Sequence, residues 1–262
     1  MSIDAGLHVQ VPTLQVIGLP GLPEISAGDD LVALVVQAVR RVLLEVAAHD
    51  VFVITQKVVS KAEGRLVRLD TVEPSAIARQ WSAASGKDAR IVELVLREAV
   101  RIVRMDRGVV IAETRHGLVC ANAGVDTSNV PDGWATLLPE DPDASARRIR
   151  DGLSAAFGCA LAVIVADTFG RAWREGQTNV AIGLAGLSPI LDYRGRTDPH
   201  GHRLQATAIA VADELAAAAE LVMGKTRGVP VAVVRGGGDI GLIVGDGSSR
   251  ELRRRPEEDL FR

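Results

Sequence analysis

The stretch Ala162 to Asn179 reads A-V-I-V-A-D-T-F-G-R-A-W-R-E-G-Q-T-N and constrains the fold more than any other. Its apolar run, Ala162 to Ala166, is bounded by polar residues, which suits a strand buried on both faces. The run ends in Asp167-Thr168, so a carboxylate and a hydroxyl stand at the rim of a core. Gly170, Arg171, Arg174 and Gly176 follow, giving flexible backbone with two guanidinium groups. An acid, an oxygen ligand and nearby cations are what a metal–phosphate site needs. The same residues also suit a strand followed by a helix, with Asp167 or Thr168 as its N-cap.

Composition narrows the class of protein. At 262 residues the chain has enough length for one large core or two small ones. It is 47% hydrophobic and 24% charged, as ordinary soluble globular proteins are. A net charge of −3 provides no electrostatic footprint for nucleic acid. With Phe 4, Trp 3 and Tyr 1, a base-stacking platform is not expected either. Cys120 and Cys159 lie in no C-x-x-C or metal-ligand spacing and read as reduced core thiols. The start, M-S-I-D-A-G-L-H, lacks the regions of a signal peptide, and no uncharged apolar run reaches about 18 residues. The expected setting is the cytoplasm, with no membrane partner.

Taken in order, Leu14 to Val16 predicts a short strand, and Gly18 to Ile25 (G-L-P-G-L-P-E-I) an irregular loop. That loop is a turn before a helix, or it brings backbone amides close to a ligand. Asp29 or Asp30 caps a helix expected to run to Ala48, with Leu31, Leu34, Val35, Ala38, Val39, Val42, Leu43 and Val46 on one face. Val51 to Thr55 reads as a buried strand, and Gln56 to Arg65 as the polar loop leaving it. Polar groups placed there are where open α/β sheets often contact ligands. Lys61 is the favoured anion contact, and Lys57 reads as solvated. One helix is predicted from Ser75, and another from Asp88 carries Ile91, Val92, Leu94, Val95, Ala99, Val100 and Ile102. Val109 to Glu113 and Leu118 to Ala121 predict paired strands joined through Thr114 to Gly117. They deliver the polar loop Asn122 to Val130, with Asp126 at its centre, although Asp and Asn in turns often bond only their own backbone. Asp141 to Gly158 predicts a capped helix, Leu204 to Met223 an alanine-rich one, and Val229 to Val234 a strand before a glycine-rich tail.

Two patterns resemble sites and are set aside. His200-Gly201-His202 resembles a metal pair, but no third ligand lies near, and a surface turn is the preferred reading. Gly224-Lys225-Thr226 has the closing letters of a P-loop, yet Ala219 stands where its first Gly belongs. The triplet also follows a helix instead of opening one, so the wrong end of the dipole would face phosphate. Gly224 is better read as a C-cap. The three polar loops can instead be combined. If their strands are neighbours, Asp126 and Asp167 converge with Thr168 into an all-oxygen site for Mg²⁺ or Mn²⁺, and Lys61 and the arginines hold phosphate.

V-S-K-A-E-G-R at Val59 to Arg65, N-A-G-V-D-T-S-N-V at Asn122 to Val130 and D-T-F-G-R-A-W-R-E-G-Q-T at Asp167 to Thr178 appear in that order. V-A-D-E-L-A-A at Val211 to Ala217 and V-A-V-V-R-G at Val231 to Gly236 follow. Together they resemble the coenzyme F-420 (deazaflavin) γ-glutamyl ligase family over nearly the whole chain. The resemblance implies a single-domain form, or two intertwined subdomains, without the C-terminal flavin-binding domain that some relatives carry. It implies an α/β (α+β) fold of mixed sheets with flanking helices, particular to this family and neither P-loop nor Rossmann. It implies a GTP-dependent ligase that joins L-glutamate to coenzyme F-420-0 and extends the tail through γ-links, by way of an acyl phosphate. Mg²⁺ or Mn²⁺, with K⁺ as a further ion, and a homodimer belong to the same implication.

Carried over by motif, Asp126 and Asp167 are the catalytic carboxylates and, with Thr168, the metal ligands. Leu22, Pro23, Glu24, Ile25, Gln56, Lys61 and Asn129 would contact GTP. The Gly-Leu-Pro of the first loop is doubled here, and the second copy is the one aligned. Gln56 replaces a small hydroxyl residue common in the family. Arg171 and Arg174 as phosphate clamps are an inference from the residues alone. Two other readings remain open: a ligase of the same family with another carboxylate acceptor, and a metal–nucleotide-binding module without catalysis.

Overall fold

Each strand of the central sheet is a short apolar run, and the helices that cover it begin at capping residues. A computed structural model describes residues 11–238, 241 and 245–259. The signal-peptide reading of Met1 to His8, and the part of the glycine-rich tail at Asp239, Ile240 and Leu242 to Val244, lie outside these. In chain order the first elements are β1 (Gln15–Leu19), α1 (Leu31–Arg41), β2 (Val51–Thr55), α2 (Gln56–Ala62) and β3 (Leu66–Arg68). Then come α3 (Ala76–Ser85), α4 (Ala89–Glu98), β4 (Ala99–Asp106), β5 (Val109–Thr114), β6 (Val119–Ala121), β7 (Trp134–Thr136) and α5 (Pro142–Phe157). The last are β8 (Ala162–Arg171), β9 (Arg174–Ala185), β10 (Leu191–Asp192), β11 (Ala208–Ile209), α6 (Val211–Met223) and β12 (Val231–Arg235). Asp30, Ser75, Asp88 and Asp141 are N-caps whose side chains accept from the first turn, and Gly158 closes α5 in the left-handed region.

The central sheet has the order β1-β12-β2-β8-β9. Among the described residues only β2 and β8 run parallel in it, with Thr55 opposite Ala166, so both deliver their next residues to the same edge. Alternation along the strands fills two cores. Phe52, Ile54, Val163 and Val165 face α1 and α5, while Val51, Val53, Ala162 and Ile164 face α6. With both faces covered, continuous apolar strands are what the burial requires. A second layer holds β4-β5-β6, with α4 packed against it through Leu94 and Val95, and the two-stranded β3-β7. This is a mixed α/β architecture of several open sheets with flanking helices. Among the described residues no helix is long and apolar enough to cross a membrane.

Several expectations are corrected. Gln56 to Ala62 is helix α2 and not a loop, because strand β2 turns directly into it at Thr55. No helix follows Asp167, so neither it nor Thr168 is a helix cap. Strand β8 runs on to Arg171 and returns as β9, because Asp167 to Gly170 find ladder partners in Gln177 to Val180. Ala99 to Ile102 belong to β4, where pairing with β5 overrides the helical spacing. Helix α1 stops at Arg41, with Leu43 left-handed, and α6 begins at Val211 rather than Leu204. The paired strands β5 and β6 and their connection match the pattern. Cys120 is buried, Cys159 half-buried, and the two are unpaired.

Helix α5 lies directly on β9. A Cβ on Gly183 would come within 2.3 Å of the Pro142 backbone. Gly183→Ala must therefore move the helix start off the sheet, and the expected loss is about 1–3 kcal/mol of stability. A urea midpoint equal to wild type would show that the contact yields.

Candidate active site

The parallel pairing of β2 with β8 puts the start of α2 beside the far half of β8. A third polar segment reaches the same edge from the second layer. Its backbone is unusual: Asn122 (φ 53°), Ala123 (φ 50°) and Gly124 (φ 75°) are all left-handed. Such a run in residues other than glycine persists only where surrounding contacts impose it. Here buried Ala123 and Val125 anchor it, and a Cβ on Gly124 would lie 2.5 Å from Leu138. Asp126 comes next, and its backbone exchanges hydrogen bonds with Thr136, at 3.1 Å and 2.8 Å. Its carboxylate accepts from Lys57 Nζ at 2.6 Å, from the Ser128 N–H at 2.7 Å and from Ser128 Oγ at 2.8 Å.

The two acids are held in opposite states. Burial works against the charged form of Asp126, but Lys57 and the Ser128 N–H outweigh it, and its pKa lies below the ordinary value. Asp167 is half-buried and its carboxylate accepts one hydrogen bond, from the Thr168 N–H at 2.8 Å. Burial is the largest influence on it. The Thr168 N–H, Lys57 and Lys225 favour its charge, the neighbouring Asp126 opposes it, and the pKa is pushed up to about 6. Two carboxylates that repel each other, one of them without a paired cation among the described residues, form a set of hard oxygen donors. Among the described residues no three His, Cys, Asp or Glu side chains group together. The pair thus fits Mg²⁺ or Mn²⁺ with the rest of the shell from hydroxyl, water and substrate oxygens.

The other candidate residues fall into three groups. In the Gly-Leu-Pro loop, Ile25 is buried and Leu22 packs on the core, while Pro23 and Glu24 face out. Lys61 Nζ, in the last turn of α2, pairs with Glu24 and ties that helix to the loop. Gln56 is buried and its amide donates to Ser60 Oγ at 2.6 Å and the Leu137 carbonyl at 3.2 Å. Asn129 is exposed and left-handed, three residues beyond Asp126. Arg171 and Arg174 flank the hairpin turn between β8 and β9, and the Arg171 guanidinium donates to the Glu175 carbonyl at 2.7 Å. Four residues of strand carry Arg171 about 13 Å beyond Asp167. His200 and His202 are exposed, and both their N–H groups bond Asp198 Oδ1, which makes a surface turn.

Comparison with known sequences bears on this arrangement. A family profile described as "F420-0:Gamma-glutamyl ligase" matches residues 21–236. The chain belongs to the F-420-0 γ-glutamyl ligase family. It is 46% identical over 250 residues to a protein of Methanothermobacter thermautotrophicus named coenzyme F420:L-glutamate ligase, covering 95% of this chain and 99% of that one. A protein of the same name from Methanopyrus kandleri is 44% identical, covering 96% and 99%. One from Archaeoglobus fulgidus is 40% identical, covering 95% and 96%.

Within this member of the F-420-0 γ-glutamyl ligase family, two lysines at the site escaped the sequence reading. Lys57 follows a buried strand, a position that usually means ligand or site, but its spacing alone cannot separate it from a solvated lysine. Lys225 sits in the Gly-Lys-Thr triplet. Gly224 does terminate α6, its N–H bonding the Glu220 carbonyl at 2.9 Å, yet the next side chain turns back to Thr168. The role of Lys57 can be read directly. In the metal-free protein Lys57→Met should raise the pKa of Asp126, since burial remains while its main opponent is gone, and should raise Asp167 further. Carboxyl ¹³C titration checks this, and an unmoved Asp126 would show that Ser128 alone sets its charge.

Proposed function

We propose that the chain is a GTP-dependent ligase that adds L-glutamate to coenzyme F-420-0 and extends the γ-linked tail. The acceptor and amino acid follow the names of its family and relatives. The observation that supports a phosphoryl-transfer route is the meeting of Asp126, Asp167 and Lys57 at one edge of the central sheet. In this reading the γ-phosphoryl group of GTP passes to the acceptor carboxylate and GDP leaves. The glutamate amine then attacks the carbonyl carbon of the acyl phosphate, the amide forms, and orthophosphate departs with a proton lost from nitrogen. Enzymes drive such transfers chiefly by positioning and by neutralising charge.

Asp126 and Asp167 would hold Mg²⁺ or Mn²⁺, which would offset charge on the phosphate oxygens. The chain's own groups do the positioning. Lys57 keeps Asp126 ionised and fixes it to the Ser128 turn. Lys61, through Glu24, sets the Gly-Leu-Pro loop against α2, where its backbone can line a nucleotide. A homodimer in the cytoplasm, with K⁺ as a further ion, belongs to the same reading.

Incubation with GTP, Mn²⁺, glutamate and F-420-0 tests it. GDP release that needs both co-substrates supports the reading. Turnover only with another carboxylic acid would move the acceptor, and binding without turnover would make the chain a metal–nucleotide-binding module.

A further inference from the structure

The left-handed turn that aims Asp126 is also held by a side chain from outside its own strands. Lys87 lies in the short connection between α3 and α4, next to Gly86, which closes α3 with φ 73°. Its ammonium donates to Asn122 Oδ1 at 2.6 Å and to the Gly108 carbonyl at 3.2 Å. Asn122 opens the left-handed turn at the end of β6, and Gly108 sits in the tight turn between β4 and β5. One lysine therefore ties the α3–α4 connection to two turns of the β4-β5-β6 layer.

The arrangement is costly for a lysine. Burial lowers the Lys87 pKa, and among the described residues no carboxylate pairs with it to offset the loss of water. Both of its acceptors are neutral amide oxygens. What it secures is the turn. The Asp126 end of that turn is fixed by the two backbone bonds to Thr136, and buried Ala123 and Val125 fill its middle. At the Asn122 end the carbonyl accepts from the Val125 N–H at 2.9 Å, a bond inside the turn itself. Asn122 Oδ1 stands 3.5 Å from the Val110 nitrogen, at the limit of a hydrogen bond, so Lys87 is its strong partner. Asn accepts a left-handed backbone when its short side chain is hydrogen-bonded, but Ala123 has no polar side chain and must be held there by its neighbours.

We propose that Lys87 is a positioning residue for Asp126: its bond to Asn122 presets the left-handed turn and so the place of the carboxylate. Lys87 itself touches neither metal nor substrate in this assignment. It rests on the reading of Asp126 as a metal ligand and deepens that reading by naming what holds the ligand in place before an ion arrives. Lys57 orients the Asp126 carboxylate from the central sheet, and Lys87 orients its backbone from the second layer.

The test uses the whole chain with two readouts: amide hydrogen exchange at Val125 and Asp126 in the metal-free protein, and Mn²⁺ affinity followed by electron paramagnetic resonance. Lys87→Met keeps the length of the side chain and removes the donor. It should speed exchange at both amides and weaken Mn²⁺ binding, each by about tenfold or more, the size of one hydrogen bond from a charged donor. Exchange at Val53 and Ile164 in the central sheet should stay within about twofold of wild type, which separates a local opening from a general loss of stability. Asn122→Gly keeps access to the left-handed backbone and removes the acceptor, so it should lose about as much. The double variant should be no worse than either single one, because both changes remove one interaction. Wild-type exchange at Val125 and Asp126 in Lys87→Met overturns the proposal. Additive losses, or equal acceleration across the central sheet, also overturn it and make Lys87 a general support of the fold. Faster exchange with unchanged Mn²⁺ affinity overturns it as well, since the turn would then not place the ligand. If wild type binds no Mn²⁺, the metal reading of Asp126 falls, and exchange alone decides whether Lys87 holds the turn.

Discussion

Asp167→Asn is expected to lower metal-dependent turnover by at least about 10²–10³-fold, the scale seen when one preorganised charge-stabilising group is lost, and to leave a protein that is folded and more stable without metal. The substitution keeps an oxygen to accept the Thr168 N–H at 2.8 Å and removes a charge that burial and Asp126 oppose. The sign follows from the raised pKa. A carboxyl titrating near 6 when folded and near 4 when unfolded favours the folded state below about pH 4, and loses that contribution as pH rises through 6. At pH 7.5 the metal-free variant should therefore melt above wild type, and the difference should vanish by about pH 4. Turnover and thermal melts at the two pH values check both halves. Wild-type turnover would sink the metal assignment; a lower melting temperature would show that Asp167 is a structural acid.

Arg235→Ala is expected to do the reverse: destabilise the fold by about 3–5 kcal/mol, with a fall in Tm on the order of 10 °C, and leave the metal site intact. Asp50 is 1% exposed and precedes β2, at the end of the strand away from the acidic pair. Arg235, the last residue of β12, clamps both its oxygens, at 2.9 Å and 2.6 Å. The Ala47 N–H supplies a third bond at 2.9 Å. Removing the guanidinium strands a buried charge, which is the costly way to break such a pair. Asp50→Asn in the same background removes that charge and should recover part of the loss. Mn²⁺ affinity of the folded protein should match wild type. An unchanged Tm in Arg235→Ala would mean that water reaches Asp50.

These two residues also mark where the sequence could be read. Asp167 could be singled out because it breaks an apolar run, which is a local signal. Asp50 and Arg235 are 185 positions apart, and no local pattern pairs them. Within the candidate site the same division holds. Lys57 and Lys61 share a helix of about two turns, and their spacing could not say which of them reaches Asp126. The loop reading of Gln56 to Ala62 failed because a polar stretch after a strand looks alike whether it coils or turns into a helix. The helical spacing of Ala99 to Ile102 was real, and pairing with β5 overrode it.

What the amino-acid order determined by itself was local: buried strands at Val51 to Thr55 and Ala162 to Ala166, and caps at Asp30, Ser75, Asp88, Asp141 and Gly158. It also sufficed to exclude a P-loop at Gly224 and to carry the motifs of the family. Caps and apolar periodicity depend on neighbours a few residues away, so they survive as patterns in one dimension. Only the tertiary structure decided that β2 and β8 lie parallel, that the left-handed turn at Asn122 to Gly124 aims Asp126 at the same edge, and that Lys225 turns back to Thr168. Those outcomes depend on burial and hydrogen bonds between residues from 10 positions apart, as Asp126 and Thr136 are, to 57 and 69, as Thr168 and Lys225 and Lys57 and Asp126 are, whose register is set by packing and not by any single segment.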